Sequence, residues 1–195
     1  MSNFWEHIKT IIIHRKYVRK ACFKMGIPWR GLVHDLSKFS IEELKIAKYY
    51  DGTRSPHAVC RDQMGYSPCW MHHYQRNKHH WQHWLDIEDW PNKVVAAKMP
   101  YKYVIEMFCD FVGASKAYNR YKSEWHETEV WDYWIKACKG KRLMYKDSEH
   151  LIESLLSLYV HLGEKKFFEW YKQAKKYLKE EYNKGEFKGI LWISK

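Results

Sequence analysis

The sequence predicts an all-α fold, a helical bundle with a C-terminal helical extension, and three observations carry that reading. Apolar residues recur at three- and four-residue steps through nearly every long segment. Caps and stops punctuate those segments, with Ser or Thr before them and Gly or Pro after. No stretch alternates with the period of two that a half-buried strand needs.

Taken in order, the first helix is expected from about Asn3 to Met25, with Trp5, Ile8, Ile12, Arg15, Arg19 and Phe23 in step. Gly26 and Pro28 stop it. A short helix follows over Trp29 to Leu36. Ser40 caps a third, Ile41 to Tyr50, whose first turn holds Glu42 and Glu43 and so suits the helix dipole. Asp51, Gly52, Ser55 and Pro56 mark a loop. Ser67 and Pro68 make a strong helix start, a cap followed by proline at the first position, for a helix carrying Trp70, His72, His73 and Arg76. A wet, aromatic stretch follows from Trp81 to Lys98. Pro100 opens a helix from Tyr101 to about Tyr121, with Val104, Phe108 and Phe111 as core residues. Thr128 and Ser148 are expected to cap Glu129 to Cys138 and Glu149 to His161. A basic last helix runs from about Glu164 to Asn183 and ends at Gly185.

The chain has 195 residues, of which 46% are hydrophobic, enough for a sizeable core without disulfide staples. Five cysteines, Cys22, Cys60, Cys69, Cys109 and Cys138, show no CxxC spacing and are odd in number, which argues against a disulfide framework and a zinc ribbon. No stretch approaches the roughly 20 apolar residues of a membrane span. The N-terminus shows no secretory cleavage site, so a soluble, cytoplasmic protein without a membrane partner is expected. The net charge of +11 favours anionic partners, a small phosphorylated substrate or nucleic acid, although a solvated basic surface would give the same number. Lys165, Lys166, Lys172, Lys175, Lys176 and Lys179 read as such a solvated helix face.

Of twelve histidines, seven lie between His34 and His83. Metal sites are built from neutral imidazoles and carboxylates arriving from different helices. The candidates are His14 in the first helix, the pair His34 and Asp35, the doublets His72-His73 and His79-His80, and Asp110 on the Tyr101 helix. Neighbours on a helix point about 100° apart, so His34 and Asp35 serve one site only at a helix end, where Asp35 can bridge two cations. Two cations a few ångströms apart are the arrangement that activates water for phosphoryl chemistry. The doublets leave open which member ligates, and a helix break near Asn77 would let them approach from different directions. His83 is expected at the margin. Asp110 sits among Phe108, Phe111 and Val112, where a carboxylate needs a partner to offset desolvation. Glu106, one turn earlier on the same face, is either a support or the ligand itself.

The order His14, then His34-Asp35 in GLVHDLSKF, then WMHHYQRNKHHW, then Asp110 in YVIEMFCDFVGASKAY resembles the HD-domain superfamily of metalloenzymes. The segment HDLSK resembles its HD-x-x-K variant, in which a lysine, here Lys38, lies near the substrate phosphate. More narrowly, HDLSKFSIEE with HHYQRNKHHWQHW resembles a family of uncharacterised bacterial and phage proteins. The resemblance spans His14 to Tyr118. It implies an HD-like metal-binding core over 1–121, with 122–195 as supporting helices on the same domain. It also implies two divalent transition metals (Fe, Mn, Zn, Co or Ni) held by His14, His34, Asp35, Asp110 and members of the doublets.

The leading functional expectation is a metal-dependent phosphohydrolase acting on a nucleotide or related phosphoester. Asp35, Lys38 and Glu43 are its candidate catalytic residues; Lys38, Arg76 and Lys116 are the candidate substrate contacts. An HD-type di-iron oxygenase, using four His and two Asp, is the second expectation. A non-enzymatic basic nucleic-acid-binding module is the third, and it lacks any recognition motif. Trp81, Trp84 and Trp90 are either core residues or a stacking surface.

Overall fold

In the computed structural model the protein is all-α apart from one small hairpin; residues 2–51, 54–90 and 92–190 are described. Gly52 of the expected loop, and residues 1 and 191–195 of the two expected segments, lie outside them. The helices are α1 (Ser2–Lys24), α2 (Pro28–Val33), α3 (Ile41–Leu44), α4 (Pro56–Met64), α5 (Pro68–Arg76), α6 (Tyr101–Tyr118), α7 (Thr128–Ala137) and α8 (Lys146–Lys184). Single 3-10 turns stand at Leu36–Phe39, Lys45–Tyr49 and Trp81–Trp84. Among the described residues no helix is long and apolar enough to cross a membrane.

Two of the four expected side-chain caps form; the one expected at Thr128 does not, because Thr128 is the first residue of α7, behind Glu127, which makes no side-chain cap. Ser40 Oγ accepts from the Glu43 amide at 3.3 Å, and Ser67 Oγ from the Trp70 amide at 3.3 Å, with Pro68 in the first position of α5. The third predicted helix is split: α3 lasts one turn and continues as the 3-10 turn Lys45–Tyr49. The expected cap at Ser148 is corrected. The helix begins earlier, at Lys146, and Ser148 is buried, its Oγ 2.8 Å from the Tyr182 hydroxyl and accepting from the Met99 amide at 3.1 Å. Gly163, at φ 73° and ψ 159°, interrupts α8 at the boundary expected between His161 and Glu164. The expectation of no strand is also corrected. Leu85–Glu88 (β1) pairs antiparallel with Lys93–Ala96 (β2), Leu85 opposite Ala96. Its two four-residue runs carry too little burial for an alternation to show: β1 is exposed beyond Leu85. The turn holds Asn92 at φ 63°.

The core lies where α1, α6, α7 and α8 meet. Val18, Cys22, Phe108, Trp134, Leu155, Tyr159 and Phe167 are fully buried there. Each such large side chain contributes about 1.5–3 kcal/mol of burial. Phe108 packs at a tilt against Phe167, 5.0 Å between centroids, and meets Tyr159 edge-on at 5.5 Å. The two central helices touch almost backbone to backbone. A Cβ on Gly113 of α6 would lie 2.9 Å from the Val18 nitrogen of α1. That contact sets the depth at which His14 of α1 and Asp110 of α6 face each other.

Candidate metal centre

Four elements deliver side chains to one buried place. α1 contributes His14, and α6 contributes Glu106 and Asp110, one turn apart on its inner face. α2 ends at His34, and Asp35 then adopts the left-handed conformation, φ 53° and ψ 28°, which turns the chain into Leu36–Phe39. A helix end is thus what lets two sequence neighbours face one site, and Asp is among the few residues that accept this backbone. α5 brings His72 and His73. Asn77, at φ −113° and ψ 97°, ends that helix, so His79 and His80 return from another direction. Asn77 Nδ2 fixes the break by donating to the His73 carbonyl at 2.8 Å and to Ser37 Oγ at 2.7 Å.

Two groups result, and they share Asp35. In the first, His14, His34, Asp35 and Asp110 offer ligand atoms within 4.8 Å of one another. His14 Nε2 is 3.1 Å from Asp110 Oδ1, 3.2 Å from His34 Nε2 and 3.5 Å from Asp35 Oδ2. In the second, Asp35, His73, His79 and His80 do the same. Asp35 Oδ1 is 3.4 Å from His73 Nε2 and 3.5 Å from His79 Nε2, and His80 Nε2 is 2.8 Å from His73 Nε2. Asp35 therefore turns one oxygen toward each group. Both oxygens, and both ring nitrogens of His79, are buried without an aligned hydrogen-bond partner. Lys38 Nζ stands 2.7 Å from Asp35 Oδ2 as an ion pair.

Unpaired polar atoms at this depth are costly, and the donor set explains them. Imidazole nitrogens and carboxylate oxygens, with no thiolate, suit first-row divalent ions. The residues fit a pair of such ions. Charge points the same way. Burial would raise the carboxyls of Asp35 and Asp110, yet the surrounding histidines, and Lys38 beside Asp35, hold both well below the usual range. Burial keeps His80 neutral, well below its ordinary value, and also lowers His73, although Asp35 and Glu43 pull it upward. Burial opposes charge on His34 too, but Asp35, Asp110 and Glu106 outweigh it and push the imidazole up to about 10. The site is thus a cluster of ionised carboxylates whose negative charge is met by the surrounding imidazoles and the Lys38 ammonium.

Two further carboxylates back the ring nitrogens. Glu106, fully buried, lies 3.2 Å from His34 Nδ1 and 3.4 Å from His79 Nδ1, both through Oε1. Arg30 clamps it, donating from Nε to Oε2 at 2.7 Å and from Nη2 to Oε1 at 3.1 Å. Glu43 accepts from His73 Nδ1 at 2.7 Å and from His72 Nδ1 at 2.9 Å.

A cleft of about 530 Å³ opens onto this place through Asp110 and His80. Trp70, Trp81, Phe111 and Tyr118 form its near walls, and Tyr133 and Lys136 of α7 with Arg142 form the far one. The Arg142 guanidinium lies over the Phe111 ring, 5.3 Å from its centroid.

Among the sequence candidates, the structure brings together His14, His34, Asp35, His73, His79, His80 and Asp110, with Lys38 and Glu43 against them. It places others elsewhere. His72 belongs to neither group and faces Glu43. Arg76 is exposed at the end of α5. Lys116 pairs with Glu164 and covers Trp125. His83 Nδ1 is 3.1 Å from the Tyr74 carbonyl oxygen. Trp81 lines the cleft, Trp84 donates to the Lys78 carbonyl, and Trp90 is 87% exposed. Sequence reasoning missed Arg30, Tyr133 and Arg142. Nothing in the local sequence of Arg30 marks it. The other two sit in a segment expected only to support the core.

A comparison with curated proteins gave no match, and neither did one with solved structures. A protein-family model does match, over residues 3–158, four-fifths of the chain and every residue of the candidate centre. The chain belongs to the Family of unknown function (DUF5662).

Proposed function

We propose that this chain is a cytoplasmic, metal-dependent phosphohydrolase of the HD-domain kind, acting on a nucleotide or related small phosphoester. The observation that supports it most is Asp35. It is buried, held in a left-handed backbone, and turns one oxygen toward each of two histidine-carboxylate groups, with the Lys38 ammonium paired to it on Oδ2. What a divalent metal pair supplies when bound there is Lewis acidity, which acidifies water and offsets charge on a phosphoryl group. The chain's own residues supply the rest. Lys38 follows Asp35 by one turn and carries a positive charge to the rim of the cluster, where an anion is drawn in and steadied. Glu43 holds His73 in one tautomer, its Nδ1 protonated and Nε2 turned inward. The cleft has the size of a small-ligand site, and its rings suit a flat body.

The test is a screen of phosphomonoesters, including nucleoside monophosphates, on protein stripped with chelator and reloaded with Mn, Co, Ni, Zn or Fe. Metal-dependent phosphate release is expected. Absence of release with every metal contradicts the hydrolase. One observation favours a second reading, an HD-type di-iron oxygenase: the second group is nitrogen-rich, with three histidines to one aspartate, a set suited to iron. Oxygen consumption by the iron-loaded protein, without phosphate release, is the result that selects it.

A further inference from the structure

Each candidate group needs its imidazoles turned so that Nε2 faces inward, and this is set by what the opposite nitrogen meets. Two carboxylates meet those nitrogens, and they are wired differently. Glu43 reaches only one metal-facing ring, His73 of the second group; its other partner, His72, lies in neither group. Glu106 reaches one ring of each through the same oxygen: His34 of the first at 3.2 Å, within hydrogen-bond reach, and His79 of the second at 3.4 Å, an approach without an aligned hydrogen bond.

Glu106 is no ordinary surface carboxylate. It is fully buried on α6, one turn before Asp110, and the Arg30 fork holds both of its oxygens, Nε on Oε2 and Nη2 on Oε1. The guanidinium fixes the carboxylate plane, and Oε1, which it also holds, is the oxygen that faces the two Nδ1 atoms. His34, Glu106 and His79 are close enough to look like a third metal group. Arg30 already supplies the positive charge there, so this trio serves as support.

We propose that Glu106, clamped by Arg30, is a positioning residue common to both candidate metal groups, whereas Glu43 positions a ligand of the second group alone. The inference rests on the metal-centre reading above. It gives the centre an asymmetry: one support couples the two ions, the other acts on one of them. Removing the shared carboxylate releases His34 and His79 together; removing Glu43 releases His73 only.

Cobalt(II) titration of the stripped protein, followed by visible absorption, tests this without any turnover assay. The wild type is expected to take up two equivalents. Glu106→Gln is expected to weaken both uptake steps by about 10- to 100-fold. Glu43→Gln is expected to weaken one step and leave the other unchanged. A Glu106→Gln protein that loses affinity at one step only, or at neither, overturns the proposal, as does a Glu43→Gln protein that loses both. Circular dichroism of the stripped variants checks folding. If Glu106→Gln does not fold, Arg30→Lys, which keeps the charge but not the fork, is read in the same way, with a smaller loss at both steps. A wild type that takes up no cobalt overturns the metal-centre reading itself. Two wild-type equivalents with an unaffected variant overturn only the role of Glu106.

Discussion

The molecule has two interiors, equally buried and opposite in energetics. Around α8, Trp134, Leu155, Tyr159 and Phe167 are all 0% exposed, and their burial is what stabilises the fold. Around Asp35, the side chains of His34, His79 and Glu106 are also 0% exposed, and their burial costs stability unless charge is balanced. The apolar interior has unpaired polar atoms too, the Tyr159 hydroxyl and the Trp134 indole nitrogen. Those are single neutral groups at the edge of large rings. Asp35 is a full charge whose ion-pair partner is Lys38, on Oδ2, and whose Oδ1 faces the second group without a hydrogen-bond partner. The difference teaches that the fold is made by one interior and spent on the other, so each can be altered separately.

The largest effect follows from breaking the polar interior at its shared point. Asp35→Ala removes a ligand from both groups. It is expected to lose essentially all bound metal and all metal-dependent activity, while circular dichroism stays that of the wild type. Full retention of metal would remove Asp35 from the site. The converse change, Phe167→Ala in the apolar interior, is expected to cost about 3–5 kcal/mol in chemical denaturation with metal stoichiometry unchanged. A loss of metal at equal folded fraction would show that the two interiors are not separable.

Lys38→Met separates binding of the ions from use of them. It keeps most of the side-chain length and removes the charge beside Asp35. Metal content should be intact, while kcat/KM on a phosphoester falls about 10- to 1000-fold, roughly 1.4 to 4 kcal/mol of transition-state stabilisation. Unchanged kinetics would make Lys38 only a counter-charge for Asp35. The smallest effect is expected at the margin of the polar interior, where His57 lies against His73. Ser67→Ala removes the α5 cap and the 3.1 Å contact with His57 Nδ1, costing about 1 kcal/mol of stability without loss of metal.

Much of the helical framework was legible because its signals are local. Ser40, Ser67 and Pro68 act within one turn, and Gly163 interrupts α8 where the pattern changes. Ser148 misled for the opposite reason: its hydroxyl is engaged by Tyr182 and Met99, far away in the chain, so the cap it would make is not needed. The hairpin escaped because both runs are short and mostly exposed, leaving no alternation to read. At the candidate centre, residue type and order pointed to His14, His34, Asp35 and Asp110, since few other roles suit such groups on apolar helices. Choosing within the His72-His73 doublet was beyond the sequence, because adjacent residues differ only in which way the helix turns them. The far wall of the cleft was hidden for a similar reason. Tyr133 and Arg142 gain their place only once α7 packs beside α6.

The central claim, that the buried polar interior is built around two cations, is tested most directly by elemental analysis of protein purified without chelator, paired with thermal unfolding before and after stripping. The account predicts two equivalents of a first-row transition metal per chain. It also predicts that removal lowers stability by about 2.7 kcal/mol for each ion, about 5.4 kcal/mol for the pair, relative to protein held at a hundredfold excess of free metal over each Kd. Protein that carries no metal, takes none up on addition, and unfolds at the same temperature with and without it would contradict the account.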